Sequence, residues 1–421
     1  MESSDTGRFG LTARIMIGMS TGLLFGLVLN WIGTDGWVAD LFVDGLLHVG
    51  GAVFLASLKL LVVPLVFVSL VCGTASLDDV TKLGRVGGKT LGLYLLTTAI
   101  ALTLAVLAAI VIQPGAGFEL TTEASFVATE APSLTETFIG LFPTNPIQAM
   151  ASGNMLQIIV FSVLFGLAIT LSGEPGTKIL DFFENLNSVI LKLVMMLMSL
   201  APYGVFCLIS KVFASQGFDA FGNLLKYFFL VLAVLFLHAL VVYPLLLKLL
   251  SGLNPITFFR NMRDPVALAF STASSNATLP VTLENAEVRL GAHNSIASFT
   301  VPLGATLNMD GTAIMQGVAT GFIAQAYGID IGATGYLMVV VTATLASIGT
   351  AGVPGVGLVM LAMVLRQVNL PVEGIGLIIG VDRLLDMVRT AVNVTGDSAV
   401  TCIVAKSEGQ LSLETFDSRG A

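Results

Sequence analysis

Apolar runs that match or exceed the roughly 20-residue depth of a bilayer occupy 11–33, 46–76, 87–113, 136–172, 178–210 and 224–250. Several are longer than a straight crossing needs, which predicts tilt or breaks. Pro64, Pro143, Pro146 and Pro202 are natural kink points where neighbouring helices must re-satisfy the backbone. After residue 255 the pattern changes. Blocks at 256–290, 294–328 and 334–370 are less hydrophobic, richer in Gly, Ser and Thr, and interrupted in the middle. The first has the tip Ser274-Ser275-Asn276-Ala277-Thr278-Leu279-Pro280 and the third a Gly- and Pro-rich tip from Ser347 to Gly357. An ordinary loop outside the membrane would carry charge, and neither tip does. Both are therefore predicted to be re-entrant helical hairpins, because irregular backbone at membrane depth persists only inside protein or beside a wet cavity.

The segment 374–405 carries a different pattern. Asp382, Asp386, Arg389, Asn393 and Asp397 stand among Ile, Leu, Met and Val. At about 100° per residue they fall within an arc of roughly 80°, a single polar stripe on an apolar helix. A charge at bilayer depth costs on the order of 3 kcal/mol even on the gentlest scale, so such residues line solute or ion paths. Packing ion pairs would account for one Asp–Arg pair. They do not account for three carboxylates against two arginines (Arg383 and Arg389) with Asn393 in the same row.

Composition agrees with a membrane protein: of 421 residues, 55% are hydrophobic and only 11% charged, against about 25% charged in soluble domains. The polar start MESSDTGRFG has no signal-peptide pattern. A net charge of -8 disfavours nucleic acid as a partner. Cys72, Cys207 and Cys402 lie far apart in apolar runs and read as small buried hydrophobes. His238, inside an apolar helix, reads as a hydrogen-bonded core residue. Arg8, Arg14, Lys82, Arg85, Lys89, Lys248, Arg260, Arg263, Lys406 and Arg419 all fall on one side of the expected spans, while 34–45 and 114–136 have no Lys or Arg. Both termini are thus expected in the cytoplasm, with eight crossings: six early spans, the block 294–328 and the striped helix.

The segments after the two hairpins echo each other, Asn308-Met309-Asp310-Gly311-Thr312 and Asn393-Val394-Thr395-Gly396-Asp397, as an inverted repeat would leave. Each is expected to unwind its helix and offer a carboxylate, an amide and freed carbonyls to a hard cation such as sodium. An amino-acid substrate needs a cation for a side-chain carboxylate, an anion for its ammonium, and backbone N–H groups for its α-carboxylate. Arg389 suits the first bidentately, Asp386 the second, and the helix N-termini at the hairpin tips the third.

The strings SSNATLPVT, LGATLNMDGTA, SIGTAGVPGVG and LDMVRTAVNVTGD, with KLLVVPLVFVSLV and YLLTT earlier, resemble in order and spacing the motifs of the glutamate/aspartate:cation symporter family, from about Thr12 to Lys406. That family includes archaeal aspartate transporters and animal excitatory amino-acid transporters. The resemblance implies an all-α, plasma-membrane homotrimer of eight transmembrane helices and two hairpins, working as an elevator. A scaffold (1–80 and 115–218) would hold a moving transport part (81–114 and 219–421). It also implies that Arg389 holds the substrate side-chain carboxylate and Asp386 the ammonium. Thr312, Thr390 and Asn393 would add contacts, and Ser274, Ser275, Asn276, Val353, Pro354, Gly355 and Gly357 would close around the substrate. Bound Na+ would use Asp397 with Gly304, Asn308 and Asn393 at one site. Asp310, Asn308, Tyr94, Thr97 and Thr98 would form a second. Thr306, Ser347, Ile348 and Thr350, beside Met309, would form a third. The chain departs from the family at Ala273 and Met387, where many members have an arginine; Arg383, one turn before Asp386, is the expected substitute.

Rival readings make different demands. A proton-coupled symporter would use Asp310 or Asp397 as proton carriers. A four-carbon dicarboxylate carrier would find Asp386 repulsive, and a neutral amino-acid carrier would have no use for Arg389. No Gly-x-Ser-x-Gly, His-Glu-x-x-His or helically spaced Ser/His pair supports an enzyme. A passive channel would need an open polar path rather than two closed hairpins.

Overall fold

The computed structural model describes residues 11–33, 36–75, 83–117, 142–216, 219–347 and 352–418. Among them there are helices and no strand, apart from an isolated bridge between Ala292 and Leu411. In chain order the helices are α1 (Leu11–Ile32), α2 (His48–Ala75), α3 (Gly88–Ile112), α4 (Pro146–Ser152), α5 (Met155–Leu171), α6 (Glu174–Met198) and α7 (Ala201–Gln216). Next come α8 (Asp219–Leu237), a π turn (His238–Val242), α9 (Tyr243–Ser251), α10 (Pro255–Asn261), α11 (Arg263–Thr272) and α12 (Ser275–Val288). The chain closes with α13 (Asn294–Leu307), α14 (Asp310–Ala326), α15 (Gly332–Ser347), α16 (Val356–Gln367), α17 (Ile375–Ser407) and α18 (Leu413–Asp417).

Among the described residues, four continuous helical stretches are long and apolar enough to cross a membrane: Ala13–Ile32, Asp40–Cys72, Arg85–Ile112 and Gly222–Ser251. The expected run 178–210 is instead two helices, α6 and α7, bent by 48° at a break ahead of Pro202. Large apolar side chains such as Leu24, Trp31 and Val111 are exposed on these helices, as a lipid-facing surface requires. The chain is an all-α integral membrane protein.

Small residues set the closest approaches. Gly18, Gly22 and Gly26 form one face of α1, and a Cβ on each would stand 2.3, 2.8 and 2.6 Å from the Pro202, Phe206 and Ser210 carbonyl oxygens of α7. That four-residue spacing lets two backbones meet where lipid supplies no hydrophobic drive. The Ser210 hydroxyl donates to Gly22 O and the Asn30 amide to Ala214 O, fixing the register. One group of contacts joins α1, α2, α5, α6 and α7; another joins α3, α8, α9 and α11 to α17. The two meet where α16 crosses α2 and α17 crosses α7. At the far end of α17, Glu408 accepts from Lys89 Nζ at 2.6 Å and pairs with Arg85, tying α3 to α17.

Two expectations are corrected. The first hairpin turns at Ala273–Ser274 rather than across Ser274–Pro280: Ala273 takes φ +50° and Ser274 caps α12, which already contains Pro280. The second echo does not unwind. Asn308 and Met309 do leave helical geometry (φ -90°, ψ 92°; φ -116°, ψ 41°), but Asn393 to Asp397 stay within α17, a single helix of 33 residues. Its buried surroundings explain why: a Cβ at Gly396 would stand 2.4 Å from Tyr243 Oη, so neighbours pack too closely for the backbone to leave the helix there.

Candidate functional site

The stripe on α17 is buried throughout: Asp382, Asp386, Arg389, Asn393 and Asp397 are all under a tenth exposed, and Arg389 is fully enclosed. Arg389 Nη1 donates to Asp382 Oδ1 at 2.6 Å, and Nη2 to Asp386 Oδ1 at 2.8 Å. Arg383 Nη1 donates to Asp386 Oδ2 at 3.3 Å, so Arg383 does lie where a substitute counter-charge would. Two carboxylates and two guanidinium groups thus form a neutral quartet within one helix. Desolvating such charges costs several kcal/mol each, which only this mutual pairing offsets. The Arg389 Nε–H has no partner among the described residues. Asp397 stands apart from the quartet, so the simple count of three acids against two bases overstated the imbalance.

The hairpins meet over this stripe. Ser274 Oγ donates to Gly352 O at 2.7 Å, and the Asn276 N–H donates to the same carbonyl at 3.2 Å. Ser275 is buried beside it: a Cβ at Gly352 would lie 3.0 Å from Ser275 Cβ and from Ala305 O. Gly357 brings α16 onto the guanidinium, since a Cβ there would be 3.3 Å from Thr312 Cγ2 and 3.4 Å from Arg389 Nη2. Thr390 Oγ1 donates to Asp386 O within its own helix. Pro354 and Gly355 cover Asp382 and Asp386 from the α6–α7 side, leaving a crevice of about 20 Å³, enough for a water but not for an amino acid. Val353 is half-buried at the same turn. The structure therefore brings Ser274, Ser275, Asn276, Thr312, Gly357, Asp386 and Arg389 into one neighbourhood.

The second cluster centres on the break at Asn308–Met309. Asn308 Nδ2 donates to Asp397 Oδ1 at 2.8 Å and to Asn393 O at 3.0 Å, while its Oδ1 is buried without a partner. Gly304 leaves the space between Asp397 and α3: a Cβ there would be 2.6 Å from both Asp397 Oδ1 and Tyr94 Oη. The Tyr94 hydroxyl donates to Thr300 O, and Thr97 to Tyr94 O in its own helix. Thr98 Oγ1 donates to Asp310 Oδ1 at 2.6 Å. Asn393 Oδ1 accepts from Gly311 N at 2.8 Å and its Nδ2 approaches Met309 Sδ. Among the described residues Thr306 and Ser347 bond within their own helices, and Ile348 and Thr350 lie outside the described residues. Buried carboxylates, an orphaned amide oxygen and carbonyls at a helix break form a hard, all-oxygen set that suits an alkali cation. Among the described residues no trio of His, Cys, Asp or Glu side chains offers a transition-metal site.

Two residues were missed. His238 Nε2 lies 3.1 Å from Asp310 Oδ2, and the Tyr243 hydroxyl donates to the same oxygen at 2.8 Å. His238 is indeed hydrogen-bonded and buried, but its partner is a candidate cation ligand. The pair stands five residues apart, which on an ordinary helix would put the two on different faces.

Gly311 makes the tightest approach to backbone in the site: a Cβ there would lie 2.5 Å from Arg389 O and 2.8 Å from Arg389 Cα. Backbone cannot swing aside as a side chain can. Gly311→Ala is expected to cost about 1–3 kcal/mol as overpacking, read as a lowered thermal unfolding midpoint in detergent, with ligand affinity reduced alongside.

Comparison with known proteins agrees with this geometry. The model of the sodium:dicarboxylate symporter family matches residues 11–407. The chain is 37% identical over 416 residues to the proton/sodium-glutamate symport protein of Bacillus caldotenax, covering 97% of this chain and 96% of the relative. It is 39% identical over 415 residues to the proton/glutamate-aspartate symporter of Escherichia coli K12, covering 95% and 93%. A C4-dicarboxylate transport protein of Rhodospirillum rubrum is 34% identical over 373 residues, covering 86% and 83%. With its buried ion-paired stripe, apposed hairpins and end-to-end match, the chain belongs to the sodium:dicarboxylate symporter family.

Proposed function

We propose that this protein imports acidic amino acids, aspartate or glutamate, by symport with sodium. The observation that carries the reading is Arg389, fully buried and already holding a carboxylate, Asp386, on the same helix face. Asp386 stands in for the substrate. When an acidic amino acid enters, its side-chain carboxylate takes Arg389 Nη2 and the released Asp386 accepts its ammonium. The α-carboxylate takes the donors that Gly352 O occupies in the closed tips, the Ser274 hydroxyl and the Asn276 N–H at the start of α12. Thr312, Thr390 and Asn393 add polar contacts, and the main chain from Val353 to Gly357 closes over them. Sodium ions occupy the cluster of Asp397, Gly304, Asn308 and Asn393 and the cluster of Asp310, Tyr94, Thr97 and Thr98. A third sits under the second hairpin near Thr306, Met309 and Ser347.

The two contact groups support a division into scaffold and moving part, with α16 on α2 and α17 on α7 as the sliding seam. On this reading the chain is an elevator within a homotrimer in the plasma membrane, both termini cytoplasmic. A four-carbon dicarboxylate lacks the ammonium that Asp386 requires, which disfavours such substrates for this chain. Proton coupling is the second reading, favoured by His238 on Asp310 and by relatives named as proton symporters.

Uptake of labelled aspartate into proteoliposomes, with sodium and proton gradients imposed separately, decides between them. Concentrative uptake is expected with sodium alone. Robust uptake in sodium-free medium driven only by a pH gradient would overturn sodium coupling.

A further inference from the structure

The junction of α8 and α9 places two side chains where an unbroken helix would not. Residues five apart on an α-helix point about 140° away from each other. At this junction the Tyr243 N–H bonds to His238 O, the i→i+5 pattern of a π turn, and the two residues come onto one face. Their rings meet edge to face with centroids 4.6 Å apart. Both polar tips end on one atom, Asp310 Oδ2. His238, Tyr243 and Asp310 are each essentially unexposed, so no water competes for these bonds.

A carboxylate has about four lone-pair positions. His238 and Tyr243 use those of Oδ2, and Thr98 uses one on Oδ1. One acceptor position remains, on Oδ1. The clamp is itself held: a Cβ at Gly396 would touch Tyr243 Oη at 2.4 Å and Asn308 Nδ2 at 2.5 Å, so the tyrosine tip lies against the α13–α14 break and the amide whose Oδ1 is unpartnered. We propose that His238 and Tyr243 are positioning residues of the coupling-cation site, holding Asp310 by Oδ2 so that Oδ1 is presented to the ion. This rests on the sodium reading above and adds two residues, from a segment outside every recognised motif, to its machinery. Neither touches the cation. Each acts by fixing the angle of a buried carboxylate, and loss of such an outer partner typically costs 10–100-fold in metal affinity.

The test is the sodium concentration giving half-maximal aspartate binding to purified protein, measured with aspartate affinity at saturating sodium. His238→Ala is expected to raise the sodium requirement about 10–100-fold while aspartate affinity recovers at saturating sodium. His238→Gln, whose Nε2 reaches the place of the imidazole Nε2, should restore a near-native requirement; His238→Asn, one bond shorter, should not. Tyr243→Phe, which like His238→Ala leaves Oδ2 a single donor but keeps its ring in place, should also raise the requirement, by a smaller factor. A merely structural histidine would lower the unfolding midpoint and leave Gln no better than Asn. If His238→Ala does not fold, the Gln and Asn variants carry the comparison. Sodium-dependent binding by native protein with equal Gln and Asn defects would overturn the clamp alone. Sodium-independent binding by native protein would overturn the sodium reading and the clamp with it.

Discussion

Arg389→Ala is expected to abolish useful aspartate and glutamate binding, weakening it by at least about thirtyfold, since removing one partner of a buried hydrogen-bonded charge pair costs about 2–5 kcal/mol or more. The same change leaves Asp382 and Asp386 with Arg383 as their only partner in the quartet. Some 3–5 kcal/mol of stability is expected to go with it, so lost binding has to be separated from lost fold. Adding Asp382→Asn removes the most deeply stranded charge and should return much of the unfolding midpoint without returning binding. Arg389→Lys keeps the charge but loses the planar fork that serves two carboxylates at once, and should fall between. Equilibrium binding together with thermal unfolding checks all three. Near-native aspartate affinity in a folded Arg389→Ala protein would mean that the side-chain carboxylate is held elsewhere.

Asp397→Asn is expected to raise the sodium needed for half-maximal aspartate binding by an order of magnitude or more, with the fold intact. Asparagine keeps an oxygen to accept from Asn308 Nδ2, the 2.8 Å bond that anchors Asp397, and removes only the charge. Because coupling is reciprocal, aspartate affinity at limiting sodium should fall in step and recover as sodium saturates. A sodium requirement unchanged by the substitution would remove Asp397 from the cation site. Unlike the His238 series, this variant takes away a ligand rather than its support, so no amount of repositioning should rescue it.

Much of this site was legible before any coordinates. The spacing of Asp382, Asp386, Arg389, Asn393 and Asp397 declares a buried polar face, because period and burial are both one-dimensional signals. A turn near the first small-residue tip was legible for the same reason, although the chain reverses at Ala273–Ser274, ahead of most of the expected tip. Contacts between segments distant in the chain were not. Glycines 18, 22 and 26 repeat every four residues, but only α7 laid against them shows why. His238 and Tyr243 reach Asp310 across about 70 residues, through a π turn that no local pattern marks. The second Asn/Gly echo misled because a glycine that permits unwinding also permits close packing, and at Gly396 the neighbouring tyrosine used the second property. Asp382 was seen as one more polar position; its role as the second carboxylate on Arg389 needed side-chain geometry.

The self-contained quartet on α17 also bears on how this carrier can be blocked. On the binding mode proposed above, an inhibitor that carries a stronger anion toward Arg389 would displace Asp386, and so exchange one full carboxylate contact for another on the same guanidinium nitrogen. Little net tightening is available from that end of the molecule, however good the fit. Potency has to be sought at the opposite end, where a bulky extension can wedge between Ser274 and Gly352 and keep two hairpin tips apart that otherwise share a single carbonyl.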